Sequence, residues 1–427
     1  MVILHGSIGC VRKLRAKAIP VHGSLALLVM ILLLPPAGAA AKAPGATPRA
    51  PLLPAGTVLY LHLQTAVSTK TSQQGQAVKA ILAREVEVQG GIAVPLGSTL
   101  TGSIEKCDQP TTSDQRADLL LKFTQLTIPG EGNFPVDGHL SGVSNARETL
   151  LADGTITGVL ESDTPAAPLV GGLLQKLGQV DSSINDQIQK QKIGQVNTAI
   201  ELPEGTDLQF TLTQPLVVKR FVASAGPPQL RGDLRDSVAS ALSNAPKRAT
   251  SKTNKPGDPI NLVFVGTAQE IEQAFRQAGW TEPKKKNEKS IWKTAQAVIN
   301  DDGYSAAPVS DLYVFGRKED LAFEKTLDTF NKRHHLRLWQ TPTNAPDGRP
   351  IWLAAATHDV GIDYQHGSHA TDPNLDDERA QVESDLWLGG GVQTAELIAP
   401  PNPLSSGMTA TGGAWHTDGK LCVIDLK

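Results

Sequence analysis

One short turn is written three times in this chain: "LPAGTVL" from Leu53, "VPLGSTL" from Val94 and "LPEGTDL" from Leu202. The shared pattern is P-x-G-[S/T]-x-L. Proline pre-sets a turn position, glycine tolerates the left-handed conformation, and Ser or Thr can bond its local backbone. Strict alternation follows two of the copies. Leu59, Leu61 and Leu63 oppose Tyr60, His62 and Gln64; Leu208, Phe210 and Leu212 oppose Gln209, Thr211 and Thr213. Each copy therefore launches a half-buried strand. Further strand candidates lie between them: "AVKAILAREVEV", "ADLLLKFTQLTIP" and "FPVDGHLSGV". The copies are too few and too unevenly spaced for a solenoid. A sheet that closes on itself fits better, the strand after Leu202 returning beside the strand after Leu53 and sealing both edges.

Gly 39 and Pro 29 in 427 residues suit short strands and many turns, and the length allows two or three domains. The N-terminus has the order of an export signal. "RKLRAK" is basic, "SLALLVMILLL" apolar, and "PPAGAAA" breaks the helix before an A-x-A cleavage site ending at Ala39. The signal would occupy residues 1–41. If uncleaved, the apolar run 24–34 would serve as a membrane anchor, although it is shorter than the ~20 residues that span a bilayer. Formal charge is −3, and the leader carries four basic and no acidic residues, so the exported chain is more acidic still. That balance argues against a nucleic-acid partner. Cys107 and Cys422 remain after export, where an oxidising compartment would permit a disulfide between them.

Residues 42–52 read as a Pro/Ala-rich extended spacer. After it, "LPAGTVLYLHLQTAVST", "QGQAVKAILAREV", "VPLGSTLTGSI", a strand ending "LTIPG" and "LPEGTDLQFTL" occur in an order that resembles the TrbI-type β-barrel domain of type IV secretion scaffolds. The resemblance implies a closed all-β barrel over 53–222, interrupted by a short helical excursion. Leu173, Leu177, Val180, Ile184 and Ile188 supply one apolar helical stripe for it, expected to pack on the barrel itself. Residues 223–257 are polar and Pro-rich and read as a disordered linker.

The texture changes at Ile260. "INLVFVG" suits a buried strand, and "TAQEIEQAFRQAGW" a helix with a Thr267–Glu270 capping box that ends at Gly279. Strand candidates "DLYVFGR", "HHLRLWQ" and "RPIWLAAATHDVGIDY" and a helix "LDDERAQVESDL" follow, giving an α/β or α+β domain with a mixed sheet over 258–388. "VGTAQEIEQAFRQAGW", "DLYVFGRKEDLAFEK", "RHHLRLW" and "HATDPNLDDERAQVESDL" stand in the order of the LssY-like C-terminal domain, which this block resembles. The resemblance implies an association with the cell envelope and assigns no activity. Residues 389–427 read as a loop-rich tail closed by a strand, "KLCVIDL".

Histidines concentrate in this second block. His335, Arg337, His358, His369, Asp372 and Arg379 form a candidate site. His335, His358, His369 and Asp372 could hold a divalent metal, or Arg337 and Arg379 with a histidine could clamp a phosphate. Period-two alternation puts His335 with Arg337 and Trp339, and His334 with Leu336 and Leu338. A purely structural role fits the same residues. No P-loop, Rossmann fingerprint or nucleophile elbow occurs, and no cofactor beyond that metal is called for. The best reading is an exported envelope protein acting as a non-catalytic binding or scaffold module, with an envelope protein or lipid-linked ligand as partner. The alternatives are a hydrolase acting on a phosphorylated or lipid-linked envelope substrate through the His/Arg/Asp cluster, and an oligomeric secretion-type assembly subunit.

Overall fold

A computed structural model describes residues 50–427 apart from 111, 113–114, 145, 177, 179, 191–196, 284–287, 301–310, 327–330, 364–367 and 410–411. The export signal, its Ala39 site and the apolar run 24–34 lie outside the described residues, as do His366 and Leu177.

The repeated turn is one structure used three times. In each copy the Ser or Thr N–H and hydroxyl both return to the proline carbonyl: Thr57 to Pro54, Ser98 to Pro95 and Thr206 to Pro203. Gly56, Gly97 and Gly205 have φ of 87°, 80° and 88°, the left-handed third position of a type II turn. Proline thus supplies the acceptor carbonyl and does not occupy the second position, where its fixed φ would count. Each glycine N–H also caps a neighbouring strand, on the carbonyls of Leu212, Leu82 and Leu63 respectively.

These turns organise a nearly closed antiparallel barrel. Its main strands are β1 (Val58–Leu63), β2 (Ala77–Leu82), β3 (Thr99–Asp108), β4 (Asp118–Ile128), β5 (Gly138–Val143) and β6 (Asp207–Leu212). They stand in the order β5-β6-β1-β2-β3-β4. The last copy does return beside the first: β6 pairs antiparallel with β1, Phe210 opposite Leu59 and Asp207 opposite His62. The inward leucines fill the barrel with Phe123 and Phe210, whose rings meet edge to face at 5.9 Å.

The helical excursion is two helices, α1 (Ala167–Lys176) and α2 (Ser182–Lys190). Among the described residues, their buried apolar side chains cluster with a later helix and not in the barrel core. Val170, Leu173, Leu174 and Ile188 share a cluster with Ile291, Ala295 and Val298 of a later helix. The expected disordered linker is also corrected. It contains α3 (Gly232–Leu242), and Leu230, Leu234, Val238 and Leu242 recur every fourth residue and are all buried. Arg248–Thr250 and Pro256–Pro259 then pair as short strands.

The second sheet combines β7 (Leu262–Val265), β8 (Leu321–Lys325), β9 (Lys332–Asn344), β10 (Pro350–Asp363), β11 (Ser368–Thr371), β12 (Val392–Ile398) and β13 (Leu421–Leu426), with helices α4 (Ala268–Gln277), α5 (Glu288–Asn300) and α6 (Leu375–Leu388). The order is β8-β9-β10-β7-β13-β12, with β11 on β10. Only β7 and β13 run parallel among these pairs, which makes the sheet mixed. The closing strand of the expected loop-rich tail is therefore central: Cys422, Val423 and Ile424 are fully buried beside β7. The α4 and α6 helices cover one face over Phe264, Leu338 and Trp352, while α3 covers the other over Val263, Trp339 and Leu353. Cys107 and Cys422 are both free thiols, so the disulfide does not form. Cys107 lies on β3 of the barrel and Cys422 in the core of the other sheet. Barrel and second sheet belong to one compact unit.

Candidate functional site

Alternation along β9 and β10 divides the histidine cluster between the two faces of the sheet. Arg333, His335 and Arg337 point one way with Thr357 and Asp359. His335 Nε2 lies 3.2 Å from Asp359 Oδ1, and Arg333 Nε donates to Asp359 Oδ2 at 3.2 Å. Arg337 Nη1 reaches His335 Nδ1 at 3.3 Å and Asp258 at 3.5 Å. His369 on β11 joins this side, its Nδ1 3.5 Å from Asp359 Oδ2. Burial pushes His369 down to about 4, more than the Asp359 charge raises it. Burial would raise Asp359, but His335, His369 and Arg333 outweigh it and hold the carboxyl well below the usual range.

His358 is on the opposite face, its ring stacked on that of His334 at 4.1 Å and 13°. Asp372 lines the same side; its N–H donates to the His358 carbonyl at 2.8 Å. Arg379 belongs to neither group. It binds Asp418 at 2.7 Å and the Lys420 carbonyl at 2.6 Å, tying α6 to the chain just before β13. The expected six-residue site is thus three separate places: His335, Arg337 and His369; His358 and Asp372; and Arg379.

The side of the sheet that carries His358 meets the barrel. His334 Nδ1 bonds Glu378 Oε2 of α6 at 2.6 Å, and its Nε2 bonds Asp207 Oδ2 of β6 at 3.2 Å. Lys325 Nζ donates to Asp385 Oδ2 at 3.1 Å and lies 3.8 Å from Asp207 Oδ1. Trp280 Nε1 donates to Asp385 at 2.8 Å, and Gln381 Nε2 bridges Asp207 Oδ1 at 3.1 Å and Asp385 Oδ1 at 3.2 Å. His62 of β1 closes the group, 3.4 Å from both carboxylates.

Burial alone would lower His334, but Glu378 and Asp207 raise it to about 10, so it is a cation at neutral pH. Lys325 is likewise raised, Asp207 and Asp385 outweighing its burial. His358, buried against that imidazolium, is pushed well below the ordinary histidine range, chiefly by burial. His62 is also lowered, by burial.

Above this network is a cleft of about 260 Å³, lined by Tyr60, Arg84 and Gln209 of the barrel and by Lys332, His358 and Glu378 of the second sheet and α6. Its arginine and lysine side chains are committed to partners. Arg84 Nη1 bonds Asp377 at 2.5 Å, and Lys332 Nζ donates to the Ala146 carbonyl at 2.7 Å. The phosphate clamp expected from Arg337 and Arg379 therefore has no counterpart here.

Sequence reasoning missed Asp207, Lys325, Glu378, Gln381 and Asp385. Glu378, Gln381 and Asp385 recur at helical spacing on α6, and nothing local in the sequence names their partners. Asp207 stands where the other two turn copies carry Val58 and Thr99, and that substitution was the available signal.

Residues 242–421 match the model of the LssY C-terminus family. The match starts at the last residue of α3 and ends at the first of β13, wider than the expected 258–388. No curated protein matches. Among solved structures, the chain is similar to ComB10 of the Com type IV secretion system of Helicobacter pylori, with 14% identity over 40% of this chain and 92% of that one and a TM-score of 0.23.

Proposed function

We propose that this chain, with its LssY-like C-terminal domain, is an exported, envelope-associated binding module that works without turnover and holds its ligand in the cleft between barrel and second sheet. The observation that carries the reading is the buried junction of Asp207, His334, Lys325, Glu378 and Asp385. Each of these charges is at most 5% exposed and faces an opposite charge on another element. Charges removed from water hold their positions only while their partners stay in place. Such a junction favours a cleft of fixed shape over a hinge. The hydrolase alternative loses support because its His/Arg/Asp cluster is divided across the sheet. Export rests on the basic, apolar and small-residue order of the N-terminus.

The test places a photo-crosslinking residue at Val360, a 40% exposed position that lines the cleft, in the chain expressed with its own leader. A discrete adduct with an envelope protein or lipid-linked species is expected, lost when Arg84→Glu alters the opposite wall. Turnover of phosphomonoesters or lipid-linked phosphates that disappears in His358→Gln would overturn the reading in favour of an enzyme.

A further inference from the structure

We propose that His334, His358 and Glu378 form a binding site for a divalent transition-metal ion of the zinc class at the floor of the cleft. Their ligand atoms all lie within 4.8 Å of one another. Bonds of about 2.0–2.1 Å around a tetrahedral ion put neighbouring ligands about 3.4 Å apart. Closing that difference requires the stacked His334 and His358 rings to tilt until their nitrogens converge on one point.

An independent observation points to the same place. His358 Nε2 and Glu378 Oε1 are buried and have no hydrogen-bond partner, on side chains that both line the cleft. The residues are 9% and 3% exposed. Buried polar atoms are rarely left unpaired, because the lost hydration is not returned. Here two of them, one an imidazole nitrogen and one a carboxylate oxygen, sit on side chains that line the same cleft.

The surroundings suit a metal. Asp207 accepts from His334 Nε2, which is the carboxylate–histidine pairing that fixes a ring tautomer and frees the other nitrogen to coordinate. That other nitrogen, Nδ1, now donates to Glu378 at 2.6 Å. An incoming ion would take the place of this shared proton, releasing it to solvent. Two imidazoles and one carboxylate select zinc, cobalt or nickel over magnesium or calcium, which prefer all-oxygen shells. The cleft leaves the remaining coordination position open to water or a ligand.

A second compact group, His62, Asp207 and Asp385, does not qualify. The Lys325 ammonium, 3.1 Å from Asp385 and 3.8 Å from Asp207, already supplies its cation. The metal inference goes beyond the binding reading and does not need it, since an ion could brace the floor of an otherwise idle cleft.

The experiment strips the full chain with a chelator, then titrates it with Zn(II) and with Co(II). About one equivalent should be retained through gel filtration, and the Co(II) form should show the intense visible d–d bands of a four-coordinate site. His358→Gln and Glu378→Gln should each weaken binding beyond the roughly 100-fold that marks loss of an outer-shell partner. Near-UV circular dichroism checks folding. His358→Gln alters an atom with no protein partner and by itself decides the matter if Glu378→Gln misfolds. His369→Gln, on the far face of the sheet, should bind as the parent does. Failure of the folded chain to retain metal at micromolar concentration would overturn the proposal. So would binding that survives His358→Gln but disappears in His62→Gln.

Discussion

Gly56, Gly97 and Gly205 hold the same left-handed turn, and an added Cβ at Gly56 or Gly97 meets nothing within 4 Å. The cost of alanine there is therefore conformational, about 1 kcal/mol per site. Gly102 on β3 is the opposite case: its φ is ordinary, but a Cβ would sit 1.9 Å from the Lys122 carbonyl oxygen. Urea denaturation should rank Gly102→Ala well below Gly97→Ala in stability, by about 3 kcal/mol or more in total loss. Equal losses would mean the strands part easily at Gly102. His369 gives a second prediction at this scale. Its folded pKa of about 4 lies below the ordinary 6.5, so the native state holds fewer protons than the unfolded one. Its contribution is fully present above pH 6.5 and is lost as pH falls toward 4, on the order of 3 kcal/mol. Asp359, held low, loses its own contribution only below the usual carboxylate range, in a separate window. In chelator-treated protein, His369→Gln should flatten the stability profile between pH 6.5 and 4, measured as the denaturation midpoint against pH. An unchanged slope there would place the acid transition elsewhere.

Among the elements, α4 and α6 mark how far the sequence could be read. The α4 helix was legible to its ends. Thr267 accepts from the Glu270 N–H at 3.2 Å and Glu270 returns to the Thr267 N–H at 2.7 Å, the reciprocal cap its letters prescribe. Thr267→Ala should cost about 1 kcal/mol in thermal or urea unfolding, and a neutral result would mean the helix is held by Phe275 packing alone. The alternating leucines of β1 and β6 were legible for the same reason, since period and burial are both local. The α6 helix was legible as a helix and illegible in its orientation. Val382 and Leu386 pack on the sheet, but Glu378, Gln381 and Asp385 are also buried, among polar partners on the second sheet and the barrel. No local rule distinguishes a polar face turned to water from one turned to partners that lie far away in sequence. The α3 helix failed differently: its four-residue apolar stripe was present, but the surrounding Pro, Arg and Asp outweighed it as linker composition.

At the scale of the whole molecule, barrel and second sheet belong to one compact unit, and Asp207 is where their coupling can be tested. It sits on the barrel, pairs across strands with His62, and faces two cations of the second sheet, His334 and Lys325. Asp207→Ala would leave both cations buried with less counter-charge. Removing one partner of such a group costs about 3–5 kcal/mol, because the remaining charge stays desolvated. The parent should unfold in one calorimetric transition. Asp207→Ala should lower that transition and divide it, the barrel melting apart from the second sheet, whereas Arg116→Ala, which removes an exposed pair with Asp163, should shift it little. Two transitions already present in the parent would mean the junction does not couple the halves. A single, merely lowered transition in the variant would place the coupling mainly in other contacts across the same seam, such as the Ser384 hydroxyl on the Ala83 carbonyl at 2.5 Å and the Arg84–Asp377 pair. The double variant Asp207→Ala/His334→Ala then decides between loss of attraction and stranded charge. If stranded charge dominates, removing the imidazolium recovers part of the stability that Asp207→Ala alone forfeits.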